Sequence, residues 1–140
     1  AELIWDRLHP AVRGVGGPVT GADPIVGAVT MLSWQKHVLE GSQGRDPVHG
    51  FLVRKEPKGH GTRQWLEGRG NLPDGSPVCM IEDTVTTGGS LVKAIERVEE
   101  AGLRVVQCVC VVDREEGASE ALEAAGYSLE ALVGRAELLG

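Results

Sequence analysis

Between positions 78 and 90 a short apolar run, Val78, Cys79, Met80 and Ile81, ends abruptly in two acids, Glu82 and Asp83. Thr84, Val85, Thr86, Thr87, Gly88, Gly89 and Ser90 follow. Residues 78–81 have the length and apolar character of a buried strand, with Gly75 and Pro77 as punctuation before them. Leu91, Ala94, Ile95, Val98 and Ala101 then recur at helical spacing, and Gly102 stands where a helix is closed. Ser90 is the expected N-cap. Residues 84–89 must turn sharply, and Gly88 and Gly89 are free to take positive φ there. A strand handed to a helix through such a turn leaves unpaired N–H groups, carrying partial positive charge, beside two carboxylates. Phosphate suits those amides and the hydroxyls of Thr86, Thr87 and Ser90. The carboxylates suit sugar hydroxyls, or a hydrated Mg²⁺ next to phosphate groups. The blander alternative is a helix cap after an acidic strand end.

The same layout recurs along the chain. Residues 12–15 form a short strand candidate, and Gly16, Gly17 and Gly21 make 16–22 a glycine-rich turn. Asp23 and Pro24 read as an N-cap followed by proline at the first helical position, opening a helix that runs to about Lys36. Residues 41–47 are polar and loop-like. Residues 48–53 and 105–112 are strand candidates, the second apolar at nearly every position, as a strand covered on both faces would be. A short helix spans 117–125 and is closed by Gly126, residues 129–133 form an edge strand, and residues 1–8 read as the last turns of a helix. Strands alternating with helices predict an α/β fold, a doubly wound, mostly parallel central sheet flanked by helices. Ligands of such sheets sit outside the carboxyl ends of the strands. The loops 16–22, 54–61, 82–90 and 113–117 are expected there.

A chain of 140 residues fits one core, so 1–140 is expected to be a single domain. The net charge of −6 argues against broad binding of nucleic acid or anionic membranes. No apolar run is long enough to span a bilayer and no signal peptide is visible, and the reducing cytoplasm is the default compartment for a chain whose cysteines read as core residues. Cys79, Cys108 and Cys110 sit in or near apolar strands and are expected to be reduced core residues. Neither glycine-rich loop is a Walker A motif, and there is no dinucleotide fingerprint.

The most polar segment is 54–69. Five basic residues, Arg54, Lys55, Lys58, Arg63 and Arg69, face two acids, Glu56 and Glu67, for a balance of +3 in an acidic chain. Pro57, Gly59 and Gly61 discourage regular structure from Glu56 to Gly61, so an exposed loop is expected there. Arg63 and Arg69 read as a solvated face. Arg54, Lys55, Lys58 and His60 are concentrated enough to close over a highly anionic substrate and shield its leaving group.

The string 78–90 resembles the phosphoribosyl pyrophosphate (PRPP) motif of type I phosphoribosyltransferases, with Thr84 where an aliphatic residue is commoner. Residues 16–22 resemble the loop that touches pyrophosphate in that family. The run from Phe51 to Thr62 is similar to the signature loop of the orotate phosphoribosyltransferases, and the likeness extends from about Val15 to Val133, including Val112, Asp113, Arg114, Glu115, Glu116 and Gly117. The resemblance implies transfer of the 5-phosphoribosyl group from PRPP to orotate, giving orotidine 5′-monophosphate and pyrophosphate in pyrimidine biosynthesis, with Mg²⁺ bound mainly through PRPP. It implies that Arg54, Lys55, Lys58 and His60 bind pyrophosphate, with Lys58 and His60 stabilising its departure. It also implies a homodimer in which Lys55, Lys58 and His60 reach the neighbouring subunit's site. Glu82, Asp83, Thr84, Val85, Thr86, Thr87, Gly88, Gly89 and Ser90 would hold the ribose phosphate, and Thr86 and Arg114 would contact orotate. The alternative for Arg114 is an ion pair with Glu115 or Glu116, for which chain neighbours are poorly placed. Relatives of this kind carry a further N-terminal hood over the base, which is expected to be missing here, and residues 34–47 read as an insertion. A PRPP-binding regulator without catalysis and a protein-interaction module using the basic loop are the rival readings.

Overall fold

The computed structural model describes residues 1–41, 44–60 and 62–140, without the side chains of residues 62 and 63. A six-stranded sheet has the order β3-β2-β1-β4-β5-β6. Its strands are β1 (Gly14–Pro18), β2 (His49–Val53), β3 (Leu66–Glu67), β4 (Pro77–Val85), β5 (Arg104–Asp113) and β6 (Leu129–Gly134). All neighbouring pairs are parallel except β2 with the short β3, where Val53 faces Leu66. The helices are α1 (Glu2–Arg7), α2 (Asp23–Glu40), α3 (Gly89–Glu100), α4 (Ala118–Ala124) and α5 (Arg135–Leu139). The expected mostly parallel, doubly wound sheet is therefore present.

Two cores lie on opposite faces. Successive residues of β4 point alternately, so Cys79 and Ile81 join Val15, Val26, Val29 and Ile4 beneath α1 and α2. Val78 and Met80 join Phe51, Leu91, Ile95, Val98 and Leu122 beneath α3 and α4. Cys108 and Cys110 share the second core, and Cys79 lies in the first. Burial pushes all three thiols up, Cys108 and Cys110 to about 12, so they stay protonated and inert. The chain leaves β1 through α2 towards β2, and leaves β4 through α3 towards β5. Between β1 and β4 these crossovers diverge, and a crevice opens at the carboxyl ends of the two strands.

Several boundaries differ from the sequence expectation. The strand expected at 12–15 is Gly14–Pro18, so Gly16 and Gly17 are pleated rather than turning. They are glycines because neighbours press on them: a Cβ at Gly16 would meet the Phe51 ring, and one at Gly17 the Ile81 carbonyl. Helix α2 is capped by Ala22 with Asp23 already inside it, and continues past Lys36 to Glu40. The strand expected at 78–81 runs on to Val85, because Glu82, Thr84 and Val85 keep pairing with Cys110, Val112 and Asp113. Beyond the segment read as loop, Leu66–Glu67 adds an antiparallel edge. Arg69 is buried rather than solvated: Nε donates to the Ala101 carbonyl at 2.9 Å, while Nη1 and Nη2 reach the Leu72 carbonyl and Asp74. It thereby satisfies the end of α3, which sequence spacing did not reveal. The Arg63 side chain, read as solvated, and residues 42, 43 and 61 lie outside what the structure describes. Among the described residues no helix is long and apolar enough to cross a membrane.

Candidate active site

Gly88 makes the turn from β4 into α3. Its φ of 84° is left-handed, which favours glycine, and it is the N-cap in place of the expected Ser90. Gly89 does not share that conformation, and Ser90 is already inside the helix. The first helical bond runs from the Val92 amide to the Gly88 carbonyl at 3.0 Å. Among the described residues, the amides of Thr86, Thr87, Gly88, Gly89, Ser90 and Leu91 donate to no acceptor, so they point into an open ring at the helix start. Residues 82–91 line a polar hollow of about 170 Å³ around them. The Val85 side chain is buried in the core, so only its backbone faces this loop.

Two carboxylates close the strand side. Asp83 is exposed, and its Oδ1 accepts from the Thr84 amide at 2.7 Å. Glu82 is buried, and its Oε1 accepts from the Asp83 amide at 3.1 Å. Burial, reinforced by Asp83 beside it, pushes the Glu82 carboxyl up to about 7.

A second cleft of about 300 Å³ shares Glu82 and Ser90 with the first. Pro18, Val19 and Gly21 from the first loop line it, with Val53, Arg54 and Lys55 from the end of β2 and Lys93, Ala94 and Arg97 from α3. The Val19–Thr20 peptide in the first loop is cis. The two loops touch: a Cβ on Gly21 would lie 2.5 Å from Asp83 Cγ. Arg54 is paired with Glu67. Among the described residues Lys55 and Lys93 have no ion-pair partner, which leaves two free cations facing the cleft. An acidic chain has thus gathered Arg54, Lys55, Lys93 and Arg97 around one opening, where a polyanion is favoured.

The expected residues are not all assembled. Arg54 and Lys55 line the cleft of their own chain, whereas Lys58 and His60 are exposed and line neither hollow. Arg114 is tied to the end of β4 through its amide, which donates to the Val85 carbonyl at 3.0 Å. Its guanidinium meets Glu116 at 3.0 Å, the pairing that chain proximity had argued against. The turn that permits it places Glu115 at φ 58° and is closed by the Glu115 amide on Asp113 Oδ1 at 2.8 Å. Lys93 and Arg97 were missed. Their spacing of three and seven from Ser90 on one helix face was the available signal. Among the described residues no cluster of three or more His, Cys, Asp and Glu could hold a metal by itself.

A model of the phosphoribosyl transferase domain matches residues 45–126. An orotate phosphoribosyltransferase of Rhodopseudomonas palustris (strain TIE-1) is 42% identical over 142 residues, covering 99% of this chain and 72% of that protein. One from Bradyrhizobium sp. (strain ORS 278) is 43% identical with the same coverage. The crystal structure of Mycobacterium tuberculosis H37Rv orotate phosphoribosyltransferase in complex with PRPP is similar at a TM-score of 0.71. It is 34% identical, covering 98% of this chain and 69% of that one. A family match over more than half of the chain agrees with relatives that align along nearly all of it, so this chain belongs to the orotate phosphoribosyltransferase family.

Proposed function

We propose that the chain transfers the 5-phosphoribosyl group from PRPP to orotate, giving orotidine 5′-monophosphate and pyrophosphate, a pentosyltransferase step of pyrimidine biosynthesis. The observation that carries this reading is the pair Glu82 and Asp83 set between an open amide ring and a cationic cleft. The amides from Thr86 to Leu91, with the hydroxyls of Thr86, Thr87 and Ser90, take the 5-phosphate. Glu82 and Asp83 accept from the ribose hydroxyls. Pyrophosphate lies towards Pro18–Gly21, Arg54, Lys55 and Lys93, where each charge-assisted hydrogen bond contributes about 1.5–3 kcal/mol. Thr86 and Arg114 hold orotate, the guanidinium exchanging Glu116 for the substrate carboxylate.

Two adjacent carboxylates beside a phosphate site fit an ion that reaches the protein already bound to phosphate oxygens. Mg²⁺ in that position would draw charge from the leaving pyrophosphate. The protein's own contribution is positional and electrostatic. It aligns C1 of the ribose with the attacking ring nitrogen of orotate and surrounds the leaving group with preset cations. Lys58 and His60 would complete that surround in a homodimer by reaching the partner's cleft. Their exposure, away from both hollows of their own chain, supports this assignment. We take residues 1–140 as one domain acting in the reducing cytoplasm, a compartment that suits three unpaired buried thiols.

Mixing the protein with orotate, PRPP and Mg²⁺ should lower orotate absorbance only when PRPP is present. No change at high protein concentration would overturn the activity. Calorimetric PRPP binding without turnover would instead mark a regulator.

A further inference from the structure

We infer that Arg97 is a positioning residue that locks the base of the cationic loop to the helix whose first turn forms the phosphate hollow. The guanidinium lies between the two ends of that loop. Nη1 donates to the Arg54 carbonyl at 3.2 Å, and the guanidinium carbon stands 3.7 Å from the centroid of the Trp65 ring. The ends are also joined directly, since the Arg54 amide donates to the Trp65 carbonyl at 2.7 Å. Beyond them only the Lys58 amide on the Gln64 carbonyl, at 3.1 Å, ties the described part of the loop across itself. Lys55, Lys58 and His60 are exposed. One side chain on α3 therefore holds the root of a loop whose residues 55–60 are exposed.

The same helix carries the phosphate hollow at its start. Arg97 is two turns below Ser90 on the face that lines the cleft, so the clamp sets the distance between the loop root and the bound phosphate end. Arginine is needed for this. Its planar fork can donate to a carbonyl while its face stacks on an indole, and a lysine ammonium cannot satisfy both at once. A loop rooted in this way delivers its cations to the leaving group in a fixed register.

The catalytic consequence rests on the transferase reading, whereas the clamp does not. Hydrogen exchange separates the two. In Arg97→Ala and in Trp65→Leu, the amides of Arg54 and Lys58 should exchange at least ~10-fold faster, while amides of β4 and β5 keep their rates. Turnover should fall by ~10-fold or more, with affinity for ribose 5-phosphate, which touches the helix start and the acid pair of β4 but not the basic loop, held within ~2-fold. Arg97→Lys should behave as Arg97→Ala. Unchanged exchange at Arg54 and Lys58 in both variants would overturn the clamp. Faster exchange with normal turnover, or parallel loss of ribose 5-phosphate affinity, would overturn its positioning role. A wild-type protein without turnover would remove the transferase reading and leave the exchange result to decide the clamp.

Discussion

The Asp83 carboxylate lies against the α-carbon of Gly21, so that a methyl group at Gly21 would sit 2.5 Å from Asp83 Cγ. The first loop and the acid pair are therefore one structure, and a small change in one moves the other. Gly21→Ala should rotate Asp83 out of position, since a side chain yields more easily than backbone. PRPP affinity should drop by ~10-fold while stability changes by less than about 1 kcal/mol. Gly17→Ala is the contrast, because its methyl would meet the Ile81 carbonyl, and it should cost more than ~2 kcal/mol. Calorimetry with PRPP and urea melts of the two variants check both.

Glu82 predicts a pH dependence with a definite sign. Its folded carboxyl titrates near 7 against an ordinary 4.5, chiefly through burial. The folded state thus holds a proton that the unfolded chain has released, and stability should decline as pH rises from about 4.5 to about 7. Only the ionised carboxylate is a full acceptor for ribose hydroxyls, so PRPP affinity should rise through the upper part of that window. Glu82→Gln should flatten both profiles, measured by urea unfolding and by calorimetry across the range.

Lys58 is exposed at the tip of the basic loop and outside both hollows. Its proposed work is on the departing pyrophosphate. Lys58→Ala should lower kcat by ~100-fold while changing the PRPP dissociation constant by less than ~3-fold. Equal losses in steady-state kinetics and equilibrium binding would argue against a role in the transition state.

Arg69 joins the end of α3 to the turn before β4 through the Ala101 and Leu72 carbonyls and Asp74. Arg69→Ala leaves two buried carbonyls without their donor, and should cost about 3 kcal/mol. The loss should show as a lower urea midpoint with an unchanged slope.

The turn from β4 into α3 was legible because its parts are contiguous. An apolar run, two acids, hydroxyls and Gly88 carry most of their geometry in local backbone preference, and only the boundaries moved, as Glu82–Val85 kept pairing with β5 and Gly88 replaced Ser90 as the cap. The burial of Arg69 and the pairing of Arg114 with Glu116 went unforeseen for opposite reasons. The partners of Arg69 come from Leu72, Asp74 and the distant Ala101, which composition cannot reveal. Arg114 meets Glu116 because Glu115 adopts a left-handed conformation uncommon for its type.

By itself the order of residues determined the alternation of strands and helices, the doubly wound sheet and the amide ring at the start of α3, since each depends on periodicity and turn chemistry within a few positions. Which cations share the opening was decided only when β2 and α3 packed together. That contact brings Arg54 and Lys55 beside Lys93 and Arg97 across some forty positions of chain, because burying Phe51 and Val53 against Leu91 and Ile95 leaves these charges at the same rim.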